Sequence, residues 1–415
     1  MSDGSTGSSR LLVRDLAQLV TVPAAASAPL RGSALRELEV VEYAFVLFEG
    51  GTVSAAGPMR ELAALGLDGD VGDLDGSSLC AIPGLVDCHT HPAFLGDRVE
   101  EFALRAGGAS YEELHAAGGG ILSTVRATRE RGEAELAVAV RRHAEWMLRA
   151  GTTTFEGKSG YGLDRDTELA SLEAVAAAGG VPTWLGAHAV PPEFDDADAY
   201  LDFALAEVLP GAAGLAAAAD VFVEEGAFTI EQARRYLTAC RKAGLALRLH
   251  GDQFNELGAV GLAIELRARS VDHLEATGQS GARALAESEV TAVLLPASAL
   301  FLDRPMPPAR ALADAGAAIA LATDFNPGSA FCESLPLVCS LACTQLHLAP
   351  AEALVACTVN AAHVLGLAER RGRIAAGYDA DLVLLDAPDW RHLAYHLGGD
   401  LIATVIRRGA VVSTR

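Results

Sequence analysis

No CxxC pair occurs among the seven cysteines, Cys80, Cys88, Cys240, Cys332, Cys339, Cys343 and Cys357, and their number is odd. Irregular spacing without a pairing pattern argues against a disulfide framework and for reduced thiols in a cytosolic protein. Positive charge is scarce: 32 Lys and Arg stand against 54 Asp and Glu, a formal net charge of −22. A surface this acidic repels nucleic acid and anionic lipid, so neither is an expected partner. It also opposes an anionic small molecule, which would need a local cation. An unbroken apolar run of membrane-spanning length is missing as well. Ser334–Ala351 carries no charge but holds Pro336, Gln345, His347 and Pro350. Leu16–Leu30, preceded by Arg10 and Arg14, has the outline of a signal peptide; Asp15 at its mouth and Gln18, Thr21, Pro23 and Ser27 within it argue against export. No internal repeat is visible.

What is present is apolar and alternating. With 415 residues, 51% of them hydrophobic, the chain can bury a large core. It is too long for one compact domain but fits an α/β barrel with a small domain attached. Residues 1–9 are rich in Ser and Gly and read as a disordered tail. Leu11–Val13, Leu38–Phe48 and Thr52–Ala55 are strand-like, with Gly50-Gly51 as a hairpin turn. The C-terminal end has the same character: Asp381–Asp386 and Leu401–Ile406 read as strands around a turn at Arg408-Gly409. The two ends, 10–79 and 372–415, are therefore expected to meet in one small β-sandwich domain. Between them, 80–371 alternates apolar strands with Ala-rich helices. The strand candidates are Gly84–Asp87, Thr152–Glu156, Thr183–Ala187, Asp220–Val223, Ala246–Leu249, Ser270–Asp272, Ala292–Leu295 and Ala318–Ala322. Helices are expected at Glu133–Ala150, Thr167–Ala178, Ile230–Ala243, Ala259–Arg267 and Ala309–Ala315. Eight such units make a (β/α)8 TIM barrel, although a doubly wound sheet alternates too.

The chemistry starts at Asp87-Cys88-His89-Thr90-His91. Two histidines at i and i+2 on a strand share a face, and paired imidazoles make half of a divalent-metal site. A bare HxH is more often two unrelated polar residues. Here other ligand-type residues also stand at strand C-termini: His188, His250, His273 and Asp324. In a barrel all those ends meet on one face, where active sites are built. Three His and one Asp would leave an open position for water, and His273 is an alternative member of that set. A metal lowers the pKa of its water to about 7, so hydroxide forms near neutrality. Asp324 can ligate and also take a proton from that water, while His273 can polarise a carbonyl or hold an oxyanion. His115, His143, His347, His363, His392 and His396 read as surface or core residues. Gly118–Gly120 is followed by no GxxxxGK, so it reads as a flexible loop rather than a phosphate cradle; KSGYGL is likewise no P-loop.

Several segments together resemble the imidazolonepropionases of the amidohydrolase superfamily: PGLVDCHTHPAFLGDRVEEF, AGGGILSTVRATR at 117–129, GTTTFEGKSGYGLD at 151–164, LGAHAVPPE at 185–193, LATDFNPGS at 321–329 and AGYDADLVLLD near the C-terminus. The resemblance covers nearly all of the chain after residue 80. It implies hydrolysis of the cyclic amide 4-imidazolone-5-propanoate to N-formimidoyl-L-glutamate, with one zinc or iron per chain and a homodimer. The ligands it implies are His89, His91, His250 and Asp324. The substrate contacts are Arg98, Tyr161, His188, Asn326, Gly328 and Ser329. Gln253 stands where some members carry Glu, so a proton-shuttling role gives way to a hydrogen bond to the ring amide. Independently, Arg98 offers a fork for a carboxylate, and the ordinary alternative is an ion pair with Glu100 or Glu101. Glu224 could bridge a second metal, but no lysine stands at the end of strand four, and one metal is the expectation. The rival readings are another mononuclear amidohydrolase, such as a nucleobase or aminoazole deaminase, and a metal-free barrel that only binds.

Overall fold

The computed structural model describes residues 10–108 and 120–415. His115, Gly118 and Gly119 lie outside the described residues. Eight strands form one sheet in strictly sequential order: β1 (Leu85–Asp87), β2 (Thr152–Lys158), β3 (Val181–Ala187), β4 (Ala218–Val221), β5 (Ala246–Gly251), β6 (Ser270–His273), β7 (Thr291–Leu294) and β8 (Ile319–Leu321). The pairings are parallel, from β2–β3 through β7–β8. The sheet then comes round on itself beyond β1 and β8. A parallel bridge joins Thr90 to Phe325, and the amides of Asp324 and His91 donate to the carbonyls of His89 and Phe325. Asp87 bonds across the same seam, accepting from the Thr323 amide at 3.1 Å and its hydroxyl at 2.6 Å. All eight expected strands are present, and the fold is an α/β barrel.

Helices between strands follow local rules. The helix Ile230–Lys242 starts on a Thr229–Gln232 capping box and carries Arg241 and Lys242 in its last turn. It buries Ala233, Tyr236, Leu237 and Cys240, spaced as one helical face. The expected helix at Glu133 is the second half of a longer one, Ile121–Arg149, interrupted where Gly132 takes φ 79°.

The terminal segments build a second, mixed sheet of eight strands: Arg10–Thr21, Glu39–Glu49, Thr52–Pro58, Gly72–Asp75, Cys80–Pro83, Leu382–Leu385, Ile402–Arg407 and Ala410–Thr414. The run with a signal-peptide outline proves to supply half of the first of these, and Leu16, Leu19 and Val20 are buried there. One face of the sheet gathers Val13, Leu16, Val46, Phe48, Leu382, Leu384 and Ile406; Leu12, Phe45 and Leu47 point the other way, as period-two alternation requires. Phe48 is 1% exposed in the larger cluster. Phe48→Ala is expected to cost about 3–5 kcal/mol of stability in urea unfolding, from lost transfer and the cavity left behind.

The contacts divide the chain into two compact units: one of the residues up to Val86 with Met147–Thr153 and Ser334–Arg415, the other of Asp87–Trp146 and Thr154–Glu333. Every site residue named below lies in the second. No helix among the described residues is long and apolar enough to cross a membrane.

Candidate metal centre and active site

Strand order brings the expected ligands together. His89 and His91 follow β1, His250 stands on β5, and Asp324 follows β8 in a left-handed conformation, φ 57°. The His91 Nε2 lies 3.2 Å from His89 Nε2 and 3.3 Å from His250 Nε2. Asp324 Oδ1 lies 3.5 Å from His89 Nε2 and 3.4 Å from His91 Nε2. The far nitrogens of two rings face carboxylates: His89 Nδ1 is 2.6 Å from Asp272 Oδ2 and His250 Nδ1 is 3.1 Å from Asp220 Oδ2. Asp272 holds the proton of His89 on Nδ1 by a hydrogen bond, and the charge of Asp220 favours a proton on His250 Nδ1 although the contact is not aligned as a hydrogen bond, so lone pairs on Nε2 face one another with a carboxylate oxygen among them. That arrangement repels itself unless a cation sits in the middle. Four ligands held at about 2.05 Å on a tetrahedron are roughly 3.3 Å apart, so the spacing fits a metal. The residues His89, His91 and Asp324 form one potential metal group, and His89, His250 and His273 another that overlaps it.

Protonation states agree. Burial holds His91 well below its usual pKa, His250 at about 4 and His188 at about 3, so all three are neutral. Burial pushes Asp324 up, but contacts with His89 and His91 and the His273 charge overcome this and keep it ionised. For His273, burial works downward and is outweighed by Glu275, Asp324 and Asp272, so its pKa is raised.

A cavity of about 650 Å³ opens above these residues. Its walls include Arg98, Tyr161, His188, Gln253, His273, Asn326, Gly328 and Ser329, so every expected site residue other than the deeper His89 lines it. His188 packs parallel to His91 at 5.5 Å and fixes its Nδ1 on the Gly160 carbonyl at 2.9 Å, leaving Nε2 for the cavity. Gly160 is required for this approach: φ is +101°, and a Cβ would meet His188 Nδ1 and the Leu185 carbonyl at 2.9 Å. The Tyr161 ring is 3% exposed. Asn326 folds its own loop, with Nδ2 donating to the Asp324 carbonyl and Ser329 Oγ, and Oδ1 accepting from the Gly328 and Ser329 amides. Ser329 Oγ lies 3.3 Å from Asp324 Oδ2. The Arg98 fork is not open: Nε and Nη2 both go to Glu101, whose Oε2 also accepts the Gly120 amide at 2.8 Å. Among the described residues only Nη1 is left, directed at Gly328, where a Cβ would stand 2.0 Å from it. Glu224 accepts from the Phe254 and Asn255 amides and from Asn255 Nδ2, which commits both oxygens to a loop.

The amidohydrolase family matches residues 80–412. An imidazolonepropionase of Rubrobacter xylanophilus is 60% identical over 97% of this chain and 98% of its own, and one of Herpetosiphon aurantiacus is 45% identical over 97% and 96%. The chain belongs to the imidazolonepropionase family of the amidohydrolases. Amidohydrolases are metal-dependent, and this chain carries the His/Asp group such a metal needs. The solved adenosine deaminase from Xanthomonas campestris with bound zinc has the same fold, with TM-score 0.70 at 19% identity over 97% of this chain and 92% of that one.

Several residues that support the site were not among the expected ones. Glu168 is 1% exposed, and its Oε1 accepts the amides of Gly160, Gly162 and Leu163 at 2.9–3.0 Å. An internal carboxylate thus fills the nest that KSGYGL offers to an anion. Arg129 donates to the Gly162 carbonyl at 2.6 Å and pairs with Asp164 and Glu193, tying three of the family segments together. Glu168→Gln is expected to loosen the Tyr161 loop. KM should rise roughly 10-fold with kcat nearly unchanged, because the loss of one charge-assisted acceptor is worth about 1.5 kcal/mol. An unchanged KM would show that the loop holds itself. Of the other histidines, His143 is a core residue, stacked on Phe94 at 4.5 Å with Nδ1 2.8 Å from the Pro92 carbonyl. His347, His363, His392 and His396 are all at least partly exposed and none lines the cavity.

Proposed function

We propose that this chain opens the ring of 4-imidazolone-5-propanoate to give N-formimidoyl-L-glutamate, using one zinc or iron ion per chain. The observation that carries the reading is the placement of His91 Nε2 within 3.2–3.4 Å of His89 Nε2, His250 Nε2 and Asp324 Oδ1, with Asp324 Oδ1 also 3.5 Å from His89 Nε2. It occurs in a chain 60% identical to a named imidazolonepropionase. His89, His91, His250 and Asp324 would hold the ion. When bound, it supplies the Lewis acidity that makes water nucleophilic near neutral pH.

The remaining steps belong to the chain. Asp324 takes the water's proton on Oδ2, the oxygen beside Ser329 Oγ, and later returns it to the ring nitrogen as the bond to the carbonyl carbon breaks. His273, whose protonated form Glu275, Asp324 and Asp272 favour against the cost of burial, stabilises the negative charge on the carbonyl oxygen. Gln253 hydrogen-bonds the ring amide. The Arg98 Nη1 and the Tyr161 hydroxyl receive the propanoate, with His188 Nε2 on the ring.

A deaminase is the rival reading, since a zinc-bound adenosine deaminase has this fold. Incubation with 4-imidazolone-5-propanoate separates the two. The expected product is N-formimidoyl-L-glutamate without ammonia. Ammonia release with the ring intact would replace this reading.

A further inference from the structure

The two ligand rings His89 and His250 are joined beneath the cavity by a chain of buried groups of alternating charge. His250 Nδ1 faces Asp220 Oδ2 at 3.1 Å, and the same oxygen lies 2.7 Å from Lys158 Nζ. Lys158 Nζ is also 2.9 Å from Glu156 Oε2. Glu156 pairs with Arg248, Arg248 Nη2 lies 2.6 Å from Asp272 Oδ2, and that oxygen is 2.6 Å from His89 Nδ1. Thr183 Oγ1 donates to Glu156 at 2.6 Å and Arg248 Nε to Ser270 Oγ at 3.0 Å. The five charged side chains come from β2, β4, β5 and β6, and none is more than 1% exposed.

Buried ions on this scale are costly, and replacing such a network by apolar side chains is often neutral or stabilising, so stability alone does not account for it. The set holds three carboxylates against two cations, leaving one negative charge under a site built for a cation. Its two ends are the carboxylates on the outer nitrogens of two ligand rings. Lys158 is also one of only two lysines in the chain, the other being Lys242. A compact ammonium reaches both Asp220 and Glu156 here.

We propose that Asp220 is a positioning residue for the metal and that Lys158 holds it against His250. The inference rests on the reading of His250 as a ligand. The Asp220 charge, 3.1 Å from Nδ1, favours the tautomer of that ring in which Nε2 offers its lone pair to the ion. Loss of such an outer partner typically weakens metal binding about 10–100-fold.

The test uses the full chain, stripped of metal and titrated with zinc against a chromophoric chelator, alongside thermal unfolding. Asp220→Asn should fold and bind zinc about 10–100-fold more weakly than wild type. Lys158→Met leaves Asp220 and Glu156 facing each other and should lower Tm. The double variant K158M/D220N removes one charge of each sign and should recover Tm, while zinc binding stays at least about 10-fold weak. Wild-type zinc affinity in folded Asp220→Asn or in the double variant overturns the proposal, because the network would then be structural only. A wild-type chain that takes up no zinc overturns the ligand reading instead, which the same titration shows at the outset.

Discussion

Replacing Asp324 with Asn should lower kcat by a factor of about 10²–10⁴, the range a positioned acid–base group supplies. The side chain is 2% exposed and sits where the sheet comes round on itself. Asn has the same shape and can keep the Ser329 contact, so Tm should change little. It cannot accept the water's proton at the oxygen now beside Ser329. Metal content measured on the same sample divides the two roles given to this residue: a folded, metal-loaded and inactive variant isolates the proton-transfer step. Turnover within about threefold of wild type would remove Asp324 from the mechanism, since that is far below an acid–base contribution.

The second large effect is expected at Arg98. Its guanidinium stands in a half-buried pair with Glu101, so Arg98→Met alone would strand a carboxylate at the cavity wall. The double variant R98M/E101Q avoids that. It should raise KM for the propanoate substrate about 10–100-fold, equivalent to one charge-assisted hydrogen bond of about 1.5–3 kcal/mol, and leave kcat within a few-fold. The acidic protein makes the loss more severe at low ionic strength, where little screens a −22 chain from an anionic substrate. Gly328→Ala provides a subtler check, because its Cβ would displace Nη1 while leaving the charge in place. A KM unchanged in both variants would place the propanoate elsewhere in the cavity.

Much of this was legible in the chain because it rests on period and position. The barrel strands are short apolar runs, and His89, His250 and Asp324 are polar residues at their ends, so barrel geometry alone brings them to one mouth. What escaped notice was polar too, but lay inside runs read as apolar. Glu156 and Lys158, or Arg248 and His250, are two apart on their strands and face the barrel interior, where they meet partners 22–92 residues away. A charged residue in phase with a ligand histidine was the available signal. Glu168 resembled any acidic residue in a first helical turn, and only the folded loop shows three amides aimed at it. The Arg98–Glu101 pair depends on the helix Val99–Ala106, whose first turn sets their i, i+3 spacing; the sequence had given the pair as the alternative to an open fork.

The most direct test of the account follows the ultraviolet absorbance of 4-imidazolone-5-propanoate with purified protein, before and after a chelator strips the metal and after zinc or iron is restored. The account predicts loss of absorbance with the loaded protein, none above background after stripping, and recovery on addition of one equivalent of metal. Undiminished turnover by fully stripped protein, or no turnover with any metal, would contradict it.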